Sequence, residues 1–318
     1  PYAQDYLNIV VPGTLLTSLS FGFNAVMRAS GYPKKAMFTM LIGAITNVIL
    51  DPIFIFWLDM GIKGAAIATI ISMLLCTLFV MNHFVQKDSI VRFHKGTFKL
   101  EKHVVWNILT IGVSPFAMQL AGSLVVVIQN YALKQHGGDL ALGANGIITS
   151  VGMLLVMLII GIAQGMQPLV SRSRGAGDGH SCRLLLLYGA ALSLAVASLA
   201  YGTVFVWARQ VAGLFNSAGD ALLAAYAEEG LRIYFAGFFF GGLNVVAAAF
   251  CSAAEMPKRG FLISSLRAFL LVLPLAALFS WLFGMRGLWF SFVAAEALTF
   301  IAASVMLRRF IFDRANDK

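Results

Sequence analysis

With 318 residues, 59% of them hydrophobic and only 12% charged, and with a mean hydropathy of +0.84, the chain has the composition of an integral membrane protein. That profile excludes an ordinary soluble domain, and the absence of period-two apolar/polar alternation argues against a membrane β-barrel. The net charge of +9 would suggest nucleic acid in a soluble protein, but here it is better read as membrane topology.

Apolar runs of about 20 residues match the length a helix needs to cross a bilayer. They predict nine membrane helices, at roughly 6–27, 37–58, 62–83, 104–132, 143–170, 184–207, 230–252, 261–283 and 286–307. The fold class expected is therefore all-α and integral to the membrane. Loop 28–36 is basic (Arg28, Lys34, Lys35), and loop 84–103 is more so (Lys87, Arg92, Lys95, Lys99, Lys102). Segments 171–183 and 253–267 and the C-terminal tail add Arg172, Arg174, Arg183, Lys258, Arg259, Arg267, Arg308, Arg309, Arg314 and Lys318. These five segments hold 18 of the 23 basic residues. Alternation of basic and non-basic loops places the basic ones, and the C-terminus, in the cytoplasm.

Helix two carries the sharpest anomaly. Between Met37 and Leu58 the only charged side chain is Asp51, in the stretch NVILDPIFIF. A charge near the bilayer centre costs about 2.5–3.5 kcal/mol on insertion scales, and such residues usually face a bundle interior. Asn47 lies four residues earlier, on the same helix face. Pro52 has no N–H and leaves the Val48 carbonyl without its helical donor. Thr69, in helix three, is predicted at the same depth as Asp51, about 10 Å from the outer end. A carboxylate, an amide, a hydroxyl and a free carbonyl form an oxygen set suited to a hard cation such as Na⁺. A proton would need the carboxylate alone. A structural, hydrogen-bonded carboxylate is the competing reading.

Further along, Gln119, Gln129 and Asn130 in helix four, with Gln164 and Gln167 in helix five, are candidates to line a cavity, or to bond between helices. Glu228 and Glu229 fall at the outer mouth. Arg267 is placed to snorkel to the cytoplasmic surface. Glu296, in the last helix, is the second deep carboxylate; it is read as a structural partner, with a role in coupling or in lining a cavity as the alternatives. The three cysteines and five histidines fit no metal or redox spacing, so no cofactor is expected.

The chain also repeats itself. Residues 8–58 align without a gap to 232–282, with Gly13 on Gly237, Pro33-Lys34-Lys35 on Pro257-Lys258-Arg259, and Trp57-Leu58 on Trp281-Leu282. GIKG (61–64) then matches GMRG (284–287) with a one-residue shift. Helices one to three thus correspond to helices seven to nine, a parallel six-helix repeat. The repeat predicts a partial N-terminal lobe (1–83), an inter-lobe linker (84–103) and a C-terminal lobe with tail (104–318). It also predicts three further helices upstream of a chain that begins with Pro1 rather than Met.

Several pieces together resemble one family. MRASGYPKKAMF (27–38), NVILDPIFIF (47–56), GIKGAAIAT (61–69), GVSPFAMQ (112–119) and AQGMQPLVSRSRGAGD (163–178) resemble the multidrug and toxic compound extrusion (MATE) transporters, across helices four to twelve of a twelve-helix, two-lobe fold. The resemblance implies efflux of amphipathic, often cationic, compounds driven by Na⁺ or H⁺. It implies a cation site in the N-terminal lobe at the positions of Asp51, Asn47 and Thr69, completed by an Asp on the family's first helix. Some members carry a Glu in the seventh helix, eight residues after the proline matched by Pro115; this chain has Ser123 there. The expected setting is the plasma membrane, as in a bacterial inner membrane. The expected partners are lipid and small amphipathic substrates, without nucleic acid, with the protein as a monomer. A lipid-linked sugar flippase of the same wider superfamily is the alternative. A membrane-embedded enzyme would need a nucleophile–base pair or a metal cluster at depth, and the sequence gathers neither.

Overall fold

The computed structural model describes residues 2–86, 89–93, 101–216 and 219–312. Lys87, Lys95 and Lys99 of the basic linker, and Arg314 and Lys318 of the tail, lie outside the described residues. Every regular element among the described residues is helical. By contact the chain forms two units, Pro1–Val105 and Trp106–Lys318.

Unit 1 is a three-helix layer of α1 (Tyr2–Ala29), α2 (Pro33–Pro52) and α3 (Gly61–Val85). Proline at the first position of α2 starts the helix where the missing N–H costs nothing. Pro52 ends the regular α geometry. The chain continues as one π turn, Ile53–Trp57, closed by Leu58 N–H on the Ile53 carbonyl at 3.0 Å. Gly64 lets α3 approach this turn, since a Cβ there would meet the Phe54 carbonyl oxygen at 2.7 Å. Asn24 stitches α1 to α2 by donating to the Ala36 carbonyl at 2.8 Å, and Thr77 stitches α3 to α1 through the Leu16 carbonyl at 2.9 Å. An aromatic-rich cluster of Met27, Val80 and Phe84, with Phe23, Tyr32 and Phe93, closes one end of the layer.

Unit 2 contains most of α4 (Lys102–Gly175), then α5 (Gly179–Phe215), α6 (Ala221–Ala236), α7 (Phe238–Ala253), α8 (Pro257–Ser265) and α9 (Val272–Phe312). A second π turn, Leu266–Leu270, joins α8 to α9. The main core gathers Ile148, Leu231, Phe235, Phe238 and Trp289; a second one gathers Val170, Phe250, Cys251 and Ile263. Against lipid tails such packing gains little from the hydrophobic effect, so close van der Waals contact and hydrogen bonds carry it. Small residues permit that contact: a Cβ on Gly230 would collide with Ile148 and Trp289.

Six of the described helices are long and apolar enough to cross a membrane, or seven with the bent pair α6–α7 counted as one span. The sequence reading expected nine separate runs. The difference lies in two long elements: α4 is interrupted only at Gly138 (φ 64°, ψ −155°) and α9 only at Gly284 (φ 60°, ψ −135°). Spans 104–132 and 143–170 fall on either side of the first break, and 261–283 and 286–307 on either side of the second. Hydropathy marked the spans as separate, whereas the backbone turns at one residue without a loop.

Candidate functional site

Between the three helices of unit 1 lies a cavity of about 370 Å³. Helix α1 contributes Thr17, Ser20 and Asn24 to its wall, α2 contributes Thr39 and Asn47, and α3 contributes Thr69, Ser72 and Cys76. The apolar part comes from Phe21, Met40, Ala44 and Met73. Gly43 keeps the space open, because a Cβ there would collide with the Cys76 sulfur. That thiol donates to the Thr39 carbonyl across the helix pair at 3.2 Å.

Of the predicted residues, the structure puts Asn47 and Thr69 on this wall and Asp51 one turn beyond Asn47. Asn47 donates its side-chain N–H to Asp51 Oδ1 at 3.2 Å. The Thr69 hydroxyl donates along its own helix to the Ala65 carbonyl at 2.9 Å, which leaves its oxygen free to accept. All three side chains are half-buried. Among the described residues, Asp51 has no ion pair. The sequence reading did not single out Thr17, Ser20 and Asn24. Their spacing of three and seven residues on one helical face was the available signal.

The polar candidates of unit 2 scatter more widely. Gln119 is exposed on α4; Gln129 and Asn130 are half-buried, and Asn130 accepts from Asn145 at 3.4 Å. Gln164 is exposed and Gln167 half-buried. A small cavity of about 90 Å³ in this unit is walled by side chains such as Leu186, Val246 and Phe300, and includes none of these amides.

Glu296 instead sits inside the helix packing, 1% exposed. Arg267 donates to it twice, from Nη2 to Oε1 at 2.7 Å and from Nε to Oε1 at 3.1 Å, with a longer 3.4 Å contact to Oε2. Asn244 donates to Oε2 at 2.7 Å and to the Glu296 carbonyl at 2.9 Å. So Arg267 does not snorkel to the surface as the sequence suggested. The π turn carries it on the stripe of Gly260 and Ile263, which faces the packing, and an unpaired Glu296 there would be far costlier than a paired one. Glu229 takes up Arg286 at 2.6 Å and Glu228 takes up Arg232 at 2.9 Å, both near the surface.

The MatE family profile matches residues 1–53 and 105–278, most of the chain. The chain belongs to this family. Among its relatives is the multidrug export protein MepA of Staphylococcus aureus (strain NCTC 8325 / PS 47), 25% identical over 304 residues. That match takes in 96% of this chain and 66% of MepA, so the chain spans just under two thirds of the relative's length. A solved structure described as the outward-facing conformation of a multidrug resistance MATE family transporter of the MOP superfamily superposes with a TM-score of 0.86 at 22% identity, over 96% of this chain and 69% of that one. A MOP superfamily transporter from Pyrococcus furiosus, whose binding pocket is described as of reverse polarity, superposes at 0.88 and 22% identity, over 99% and 70%. These likenesses show the MATE fold. Family and helices together make this a multi-pass membrane protein of a family whose named relatives export drugs.

Proposed function

We propose that this MATE-family protein exports amphipathic, often cationic, compounds in exchange for Na⁺ or H⁺, and that Asp51 carries the coupling ion. One observation bears most of the weight: a carboxylate without an ion pair among the described residues, held by Asn47, stands one turn beyond a cavity walled by hydroxyls and amides. A sodium ion would take the Asp51 carboxylate, the Asn47 side-chain oxygen and the Thr69 hydroxyl; a proton would take the carboxylate alone. The apolar half of the same wall (Phe21, Met40, Met73) suits the body of an amphipathic substrate.

On this reading the chain contributes nine spans. Three belong to one lobe and six to the other, joined by the basic cytoplasmic linker; the C-terminus is cytoplasmic and the site acts in a monomer at the plasma membrane. Transport of this kind requires the site to open to one side of the membrane and then to the other. Efflux is favoured over the flippase reading because an anionic headgroup needs a free cation at depth, whereas Arg267 is engaged by Glu296.

The test is fluorescent-dye efflux from cells or vesicles under an imposed Na⁺ gradient or an imposed pH gradient. Asp51→Asn should abolish the gradient-driven component while insertion and melting behaviour stay close to wild type. Wild-type efflux in that variant would remove Asp51 from the mechanism.

A further inference from the structure

The internal repeat can be projected onto the unit 1 cavity. At the 224-residue offset, Gly241, Asn244 and Arg267 of unit 2 fall on Thr17, Ser20 and Gly43. Past the one-residue shift at GMRG, Glu296 falls on Met73. All four counterparts in unit 1 line the open cavity. In unit 2 three of these positions, Asn244, Arg267 and Glu296, make up the buried ionic cluster, and the fourth, Gly241, packs against its carboxyl group.

We propose that the Arg267–Glu296–Asn244 cluster is a tethered ion pair that closes unit 2's counterpart of that cavity, its guanidinium holding the place that unit 1 leaves open to a mobile cation. The inference rests on the reading of unit 1 as the cation-binding lobe.

The substitutions are complementary in size as well as charge. Gly43 leaves space in unit 1, and Arg267 fills the matching space in unit 2. Conversely, Gly241 stands where unit 1 has Thr17, and a Cβ on it would come 3.3 Å from the Glu296 carboxyl carbon, so the glycine makes room for the acid. Both units use the same local chemistry, an asparagine donating to a carboxylate: Asn47 to Asp51, and Asn244 to Glu296. They differ in what balances the negative charge. In unit 2 it is a side chain, with Tyr234 of α6 within electrostatic reach of both partners. In unit 1 no described side chain does so. A buried pair of this kind is weak evidence for stability, since an apolar filling of the same shape serves as well. Its geometry accounts for a lobe that is filled and electrically neutral without an ion from solution. The buried Asn244 side-chain oxygen has no hydrogen-bond partner, so an acceptor stands ready beside the carboxylate if the guanidinium is withdrawn.

The experiment counts radiolabelled Na⁺ bound per chain by the full protein in detergent at alkaline pH, with gel filtration and melting as checks on folding. Arg267→Ala should bind one more Na⁺ than the wild type, and Arg267→Ala/Glu296→Gln should lose that added site. A folded Arg267→Ala protein with no added site overturns the proposal. Because Arg267→Ala leaves a buried charge unpaired, a second variant removes both charges at similar volume. Arg267→Met/Glu296→Gln should fold and keep gradient-driven export, and loss of export in that folded variant also overturns the proposal. Failure of the Asp51 reading has a different signature: Asp51→Asn retains coupled export, whatever the Arg267 comparison gives.

Discussion

Cys76 reports on the cavity directly. Its sulfur lines the wall between Thr39 and Gly43, whereas Cys182 and Cys251 are buried among apolar side chains of unit 2. A small membrane-permeant maleimide should therefore modify Cys76 well ahead of the other two, read by peptide mass spectrometry. If the cavity takes the substrate as proposed, a saturating amphipathic cation should slow that modification several-fold, because the adduct and the cation would need the same space. Equal rates with and without the cation would place the substrate elsewhere. The two carboxylates show how far single residues can be read from sequence. Asn47 and Asp51 were legible as a pair because a helix fixes the geometry of residues four apart. Glu296 was legible only as an anomaly: its partners lie 29 and 52 positions away, and nothing local to Arg267 says whether its long stem runs outward or inward.

At the scale of elements, hydropathy located the apolar spans, but it could not tell a loop from a one-residue turn. Gly138 and Gly284 make both turns in a region of positive φ that side chains avoid. The two breaks lie side by side in unit 2: a Cβ on Gly284 would meet His136 at 3.4 Å, and one on Gly137 would meet the Met285 sulfur at 3.0 Å. Gly284→Ala should destabilise the protein by about 1–3 kcal/mol, the cost of forcing a side chain into that backbone conformation. Melting in detergent would show it as a lowered transition temperature. Gly146→Ala is the control, a helical glycine with nothing within 4 Å of the added methyl, and it should leave the transition unchanged or raise it. Equal melting of the two variants would mean that the break at Gly284 is not held by its glycine. The π turns were equally hidden. Pro52 announces the first, because it removes a donor, but Ser265 rather than a proline stands immediately before the second, which the packing of Arg267 against Glu296 accompanies.

For the whole molecule, the direction of each helix decides which side would supply the ion that Asp51 is proposed to carry. Eighteen of the 23 basic residues sit in five alternate segments, a bias that orients membrane proteins with those segments in the cytoplasm. Trp57 and Trp281 are equivalent positions in the repeat, at the ends of the spans 37–58 and 261–283 that this bias would turn outward; both are more than four-fifths exposed, as suits tryptophan at a membrane–water boundary. In a cysteine-free background, Met60→Cys and Asp139→Cys should react with a membrane-impermeant maleimide on intact cells. Ser30→Cys and Lys258→Cys should react only after permeabilisation. The inverse pattern would put Asp51 nearer the cytoplasmic end of its helix. A cation moving down its gradient from outside would then meet the substrate cavity before the carboxylate, and exchange would have to run in the opposite order.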